Sequence, residues 1–171
     1  MKKVVIINGC GGVGKDTLIG FVSKVWSTSM ASSITPVKLV AERAGWEGEK
    51  DNKARKFLSD LKKIMTEYND APFDYCRTML KGFSETDEEV LFIQIREPEE
   101  IDRFKKFVEG INGIDVCTLL IEDSRRNDTY GNQSDDNVRN YNYDFVYDNC
   151  VPLKDTEKKF IEFFKNNIMT K

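Results

Sequence analysis

Buried-type strands that alternate with amphipathic helices predict an α/β domain, with a central parallel sheet and helices on both faces. Three observations carry this. Residues 4–7 are a continuous β-branched run, and 90–95 and 114–121 are mostly apolar stretches. Such runs fit strands covered on both faces, as parallel strands are. The segments between them repeat apolar residues at helical spacing. Strand–helix–strand order in one chain then builds a parallel sheet through crossovers.

The elements follow in order. Val4-Val5-Ile6-Ile7 is the first strand, ended by Asn8-Gly9. Leu18, Phe21, Val22, Val25 and Trp26 predict a helix over 15–29, with Trp26 on its core face. Residues 27–33 read as a polar break, and Val37-Lys38-Leu39-Val40 as the second strand. Residues 44–52 hold Gly45, Gly48 and Asp51-Asn52, and read as a loop. Phe57, Leu61, Ile64 and Met65 predict a helix over 53–68. Pro72, a first-turn residue, starts another helix through Tyr75, Cys76, Met79 and Leu80, ended by Gly82. After the strand at 90–95, Pro98 opens a helix through Ile101, Phe104, Phe107 and Val108, closed by Gly110. Residues 122–142, after the third apolar run, are the most polar segment. Asp144-Phe145-Val146-Tyr147 is a short strand, and Phe160, Ile161, Phe164 and Ile168 mark a C-terminal helix.

The 171 residues fit one domain, and 40% apolar content is enough for a core. A net charge of −3 gives no reason to expect nucleic acid or an anionic membrane as a partner. The chain has no histidine, which excludes Ser-His-Asp and Cys-His catalysis and His-ligated zinc. The cysteines Cys10, Cys76, Cys117 and Cys150 form no CxxC pair, so no zinc or redox motif is indicated. Cys117, inside an apolar run, reads as a core residue. The N-terminal apolar run is too short for a signal peptide or a membrane span, and a cytoplasmic setting with reduced thiols is expected.

The strongest motif is Gly9-Cys10-Gly11-Gly12-Val13-Gly14-Lys15-Asp16-Thr17, between a buried strand and an amphipathic helix. That is the context of a P-loop. Glycines let successive N–H groups turn inward as an anion nest, and the helix N-terminus adds its positive dipole end. Lys15 supplies a mobile charge for the β- and γ-phosphates. The residues assigned to the nucleotide are Gly9, Gly11, Gly12, Val13, Gly14, Lys15, Asp16 and Thr17. The motif makes the expected fold a three-layer P-loop NTPase fold.

Asp16 stands directly after the lysine, where GTPases and most ATPases carry the magnesium-binding hydroxyl. The order Gly-Lys-Asp-Thr resembles the phosphate loop of adenylate kinase-like enzymes. It is closer to that of phage-type deoxynucleoside monophosphate kinases and related small P-loop kinases. The resemblance continues in Arg96 and the acidic helix start after the second apolar strand. Gln94, however, replaces the aspartate that the family uses near magnesium. Arg125 and Arg126 fall where the family carries lid arginines. Tyr143-Asp144-Phe145-Val146-Tyr147-Asp148-Asn149 is similar to the family's final strand. The resemblance implies ATP and Mg²⁺ as cofactors, catalytic roles for Lys15, Arg125 and Arg126, and base contact by Asn149 and Cys150. Magnesium falls to Asp16 and Thr17, with Glu97 the nearest carboxylate to substitute for the missing aspartate.

The resemblance also implies one kinase domain over 1–171, with a core of 1–31, 87–121 and 143–171. An acceptor-binding insertion spans 32–86 and a lid spans 122–142. Arg43, Arg55, Arg77 and Arg96 are the candidates for an acceptor phosphate, because guanidinium grips phosphate bidentately. The lysines of 50–63 read as a solvated face in which Lys56, Asp60 and Lys63 can pair. Trp46 either stacks on an acceptor or anchors its loop. Two functions from different classes follow. One is ATP-dependent phosphoryl transfer to a small acceptor, a nucleoside monophosphate or a non-nucleotide metabolite. The other is a non-catalytic nucleotide-binding protein on the same fold, favoured by Gln94.

Overall fold

A computed structural model describes residues 2–125 and 137–170 of the chain. Five strands form one sheet in the order β2-β3-β1-β4-β5, and every pairing is parallel. The strands are β1 (Lys2–Asn8), β2 (Thr28–Ser32), β3 (Val90–Gln94), β4 (Ile114–Glu122) and β5 (Phe145–Asp148). The helices are α1 (Lys15–Val22), α2 (Thr35–Arg43), α3 (Asn52–Asn69), α4 (Ala71–Ser84), α5 (Pro98–Glu109) and α6 (Leu153–Phe163). A π-helical turn, Phe164–Ile168, continues α6.

The side-chain period of two along a strand makes this a three-layer domain. On β1, Val5 and Ile7 face one layer, where α1, α6 and the π-helical turn contribute Leu18, Val22, Phe160 and Phe164. Val4 and Ile6 face the other, where α4 and α5 contribute Cys76, Leu80, Ile101 and Phe104. All these side chains are at most 1% exposed. Burying a residue of this size stabilises by about 1.5–3 kcal/mol, so the two clusters dominate folding.

Three expectations are corrected. Residues 37–40 form no strand. They lie in α2, where Pro36 sits in the first turn. Val37 and Ala41, four apart, are fully buried, while Leu39 is 56% exposed, which is a helical pattern. The second strand is β2, inside the stretch read as a polar break. β2 is an edge strand paired only to β3 and buries only Ala31 among its five residues, so its sequence needs no apolar run. Finally, α1 stops at Val22 rather than near residue 29, leaving Val25 55% exposed. Trp26 lies beyond the helix and packs on the Phe164 ring at 5.4 Å between centroids.

The α3 helix is shorter on burial than its periodicity implies. Asp51 caps it by accepting from the Ala54 N–H at 2.7 Å. Ala54 is its one buried residue, and Phe57 and Ile64 are 39% and 61% exposed. The helix therefore lies outside the two core clusters. Cys117, as expected, is a core residue of β4. No described helix is long and apolar enough to cross a membrane.

Candidate functional site

Strand order reverses between β1 and β3. The connection leaving β1 runs towards β2, and the one leaving β3 runs towards β4. A crevice opens at the carboxyl ends of such strands, and there open α/β sheets bind their ligands. The β1–α1 loop lies on that crevice.

Asn8 starts the loop and is 1% exposed. Its Oδ1 accepts from the Gly9 N–H at 2.9 Å, and its Nδ2 donates to the Tyr143 hydroxyl at 2.8 Å. Gly9 adopts φ +150°, and a Cβ there would sit 2.5 Å from the Ile121 carbonyl oxygen of β4. The backbone passes β4 too closely for any side chain. Gly14 adopts φ +90° as the residue before α1, where no side chain caps the helix. The positive end of the α1 dipole thus faces the loop without a side-chain cap between them. The Asn149 Nδ2 donates to the Val13 carbonyl at 2.9 Å and fixes the loop from the β5 side. Lys15 folds its ammonium back over the loop, donating to Gly9 O at 2.6 Å and Cys10 O at 3.3 Å. A cradle of backbone amides with one ammonium over its mouth fits a polyphosphate.

The nominated metal side is close by. Gln94, at the end of β3, donates from Nε2 to Asp16 Oδ1 at 3.1 Å. The carboxylate absent from position 94 is thus present one element away, on Asp16. Asp16 and the exposed Thr17 hydroxyl are the oxygens that would reach a magnesium ion beside the loop. The described residues contain no group of three or more His, Cys, Asp or Glu able to hold a metal by itself. Magnesium does not need one, since it binds through one or two carboxylates, water and phosphate oxygens.

Glu97 is engaged elsewhere. Its Oε2 accepts from Lys62 Nζ at 2.6 Å, and Lys62 also donates to Ser33 Oγ at 3.0 Å. Burial works to raise the Glu97 carboxyl. The Lys62 charge and hydrogen bond outweigh it and hold the group below the ordinary carboxylate value.

The arginines are spread out. Arg125 is exposed and held bidentately by Asp123 at 2.8 Å, with a further bond to the Asn149 carbonyl at 3.1 Å. It joins the loops after β4 and β5, and Asn149 spends its amide on the phosphate loop. Arg126 lies outside the described residues, as does most of the expected lid. Arg96 follows β3 at the crevice, and its carbonyl faces Asn8 Nδ2 at 3.4 Å. Arg77 pairs with Asp74 at 2.9 Å and stacks on the Phe107 ring in the last turns of α5. Phe107 is ten residues along α5 from Glu97, or ~15 Å at the helical rise. Arg43 is exposed in the last turn of α2, and Arg55 donates to the Lys50 carbonyl at 2.9 Å from the first turn of α3. Trp46 anchors its own loop, its indole N–H donating to Glu49 O at 3.2 Å. Lys56 pairs with Asp60 at 2.5 Å, as its spacing implies, whereas Lys63 pairs with Glu67 at 3.9 Å.

Sequence reasoning missed Asn8, Ser33 and Lys62. Asn8 stands directly before the glycine loop, where a buried strand end needs a polar cap. Nothing in the spacing of Lys62 separates it from its solvated neighbours.

A parallel sheet of this order, with this loop after its central strand, defines a three-layer P-loop NTPase fold. No protein-family model matches the chain, and no curated protein matches it either. Solved structures match in fold. The Deinococcus radiodurans tunicamycin resistance protein is 13% identical with a TM-score of 0.57, over 99% of this chain and 98% of that one. TT1252 from Thermus thermophilus is 16% identical with a TM-score of 0.51, over 96% and 97%. Shikimate kinase from Bacteroides thetaiotaomicron superposes more loosely, with 13% identity and a TM-score of 0.48 over 96% and 97%.

Proposed function

We propose that this chain is a small-molecule kinase that moves the γ-phosphoryl group of ATP to an acceptor held between the β2 and β3 ends and the 32–86 insertion. The observation that carries the reading is Lys15, whose ammonium hangs over a glycine cradle at the switch point of the sheet. In that place it serves the β- and γ-phosphates, while the uncapped start of α1 receives their remaining charge. Phosphoryl transfer rests on positioning and charge stabilisation, so the absence of histidine is no obstacle. Mg²⁺, when bound, would neutralise negative charge on the nucleotide phosphates. Asp16 and Thr17 are its side-chain partners in this reading, with Gln94 orienting Asp16. Arg125, where Asp123 holds it, fastens the loops on the β4–β5 side, the side where the resemblance puts the base.

A nucleoside monophosphate is the acceptor that the phosphate-loop resemblance implies. A non-nucleotide, hydroxyl-bearing metabolite is the alternative acceptor. The test is ADP release from Mg-ATP across panels of both classes. Acceptor-dependent turnover supports a kinase. ATP binding without turnover on any acceptor would favour the non-catalytic alternative.

A further inference from the structure

We infer that Tyr143 is a positioning residue for the phosphate loop, acting through the buried side chain of Asn8 on Gly9 and so on the ammonium of Lys15. This rests on the phosphate-binding part of the reading above and extends it to a residue outside the loop.

Asn8 ends β1, the central strand, and is 1% exposed. A carboxamide buried that deeply is costly unless its polar atoms are paired. Its neighbours fix which way it points. Oδ1 accepts from the Gly9 N–H at 2.9 Å, so Nδ2 faces acceptors. Nδ2 donates to the Tyr143 hydroxyl at 2.8 Å and makes a longer contact with the Arg96 carbonyl at 3.4 Å. The Tyr143 hydroxyl in turn donates to the Val138 carbonyl at 2.9 Å. That hydroxyl therefore accepts on one side and donates on the other, which a phenyl ring cannot do. Val138 is 1% exposed and lies in a short 3-10 turn, Asn137–Asn140. Arg139 of that turn pairs with Glu122 at the end of β4 at 3.1 Å. The far end of the chain of bonds is thus anchored on the sheet.

Gly9 joins this chain to Lys15. Its N–H turns to Asn8, away from the cradle, and its carbonyl accepts from Lys15 Nζ at 2.6 Å. Glycine is the freest link a backbone can have, so the direction of that carbonyl depends on what holds the residue. Contact with Ile121 holds one side and Asn8 holds the other. Removing the phenol oxygen leaves Nδ2 buried with only its longer contact. An amide in that state gains by turning, and turning releases the Gly9 N–H. The loosened loop then has more freedom to lose when a polyphosphate binds, and affinity falls. Tyr141 supplies the comparison. Its ring lies edge-on to that of Tyr143, 4.9 Å between centroids, but its hydroxyl donates to Asp102 of α5 at 2.8 Å.

Calorimetry on the full chain gives the Kd for Mg-ATP and for inorganic tripolyphosphate. The variants are Tyr143→Phe, Asn8→Ala, the two together, and Tyr141→Phe. Tyr143→Phe should weaken both ligands by about 5-fold or more, the worth of one hydrogen bond. Tyr141→Phe should bind both as the parent does. The double variant should bind no more weakly than Asn8→Ala, because the tyrosine works only through that asparagine. Melting temperatures separate this role from a structural one. A Tyr143→Phe protein that melts lower yet keeps both Kd values overturns the inference. So does a loss with ATP but not with tripolyphosphate, which would put Tyr143 at the base, and so do losses that add in the double variant. If Asn8→Ala does not fold, Tyr143→Phe against Tyr141→Phe still decides. A parent that binds neither ligand overturns this inference and the kinase reading together. The expected losses in a chain that turns over no acceptor uphold this inference and overturn the kinase reading alone.

Discussion

The close approach of Gly9 to β4 sets a sharp limit on what the phosphate loop tolerates. In Gly9→Ala the new Cβ would lie 2.5 Å from the Ile121 carbonyl oxygen and 3.0 Å from Val13 Cγ2. The first contact is backbone on a central strand and has no rotamer through which to yield. Overpacking of this kind costs about 1–3 kcal/mol. Holding a non-glycine residue at φ +150° adds about 1–3 kcal/mol. The total is about 2–6 kcal/mol. At ~2–4 °C per kcal/mol for a chain of this size, the melting temperature should fall by roughly 4–24 °C. Gly11→Ala is the matched control, because among the described residues nothing lies within 4 Å of a Cβ there. Its stability should stay within about 0.5 kcal/mol of the parent. Thermal denaturation by circular dichroism reads both variants side by side. A Gly9→Ala protein that melts with the parent, or a Gly11→Ala protein that falls as far, would refute the argument.

Two further outcomes follow from ionisable groups shifted by their surroundings. Burial tends to raise the Asp144 carboxyl, but hydrogen bonds from Lys105 and Thr118 outweigh it and hold the group below its ordinary value, as Lys62 does for Glu97. Groups depressed in the folded state stabilise it above their unfolded pKa and cease to as pH falls through the folded one. Melting temperature should therefore decline as pH drops below about 4.5, and Asp144→Asn should flatten that decline. Burial pushes the Cys76 and Cys117 thiols up to about 12, whereas Cys10 and Cys150 are half-buried. A disulfide-exchange reagent on the native protein should modify Cys10 and Cys150 quickly and the other two only on unfolding. ATP should slow the reaction at Cys10.

The sequence marks the interior strands and the phosphate loop because their signals are local. β1, β3 and β4 are apolar through their middles since helices cover both faces, and the glycine loop joins a strand to a helix by adjacency alone. β2 escapes because an edge strand buries only Ala31, and α2 imitates a strand because the short stretch 37–40 carries the β-branched Val37 and Val40. The acceptor side was the least legible. Lys62 and Glu97 are 35 residues apart and meet only because α3 brings Lys62 beside the segments that follow β2 and β3. The same tertiary geometry carries Arg77 away to Phe107, although its sequence position nominated it for the acceptor. Lys–Glu pairing across elements has no period to read.

The most direct test of the account is phosphorus NMR of Mg-ATP with an acceptor found by ADP release, comparing the parent chain with Lys15→Ala. Lys15 reaches the loop mouth and no core cluster, so the variant should melt with the parent. The parent should convert ATP to ADP and a new phosphoester, and Lys15→Ala should form neither. Phosphoester formation at the parent rate in the folded variant would contradict it.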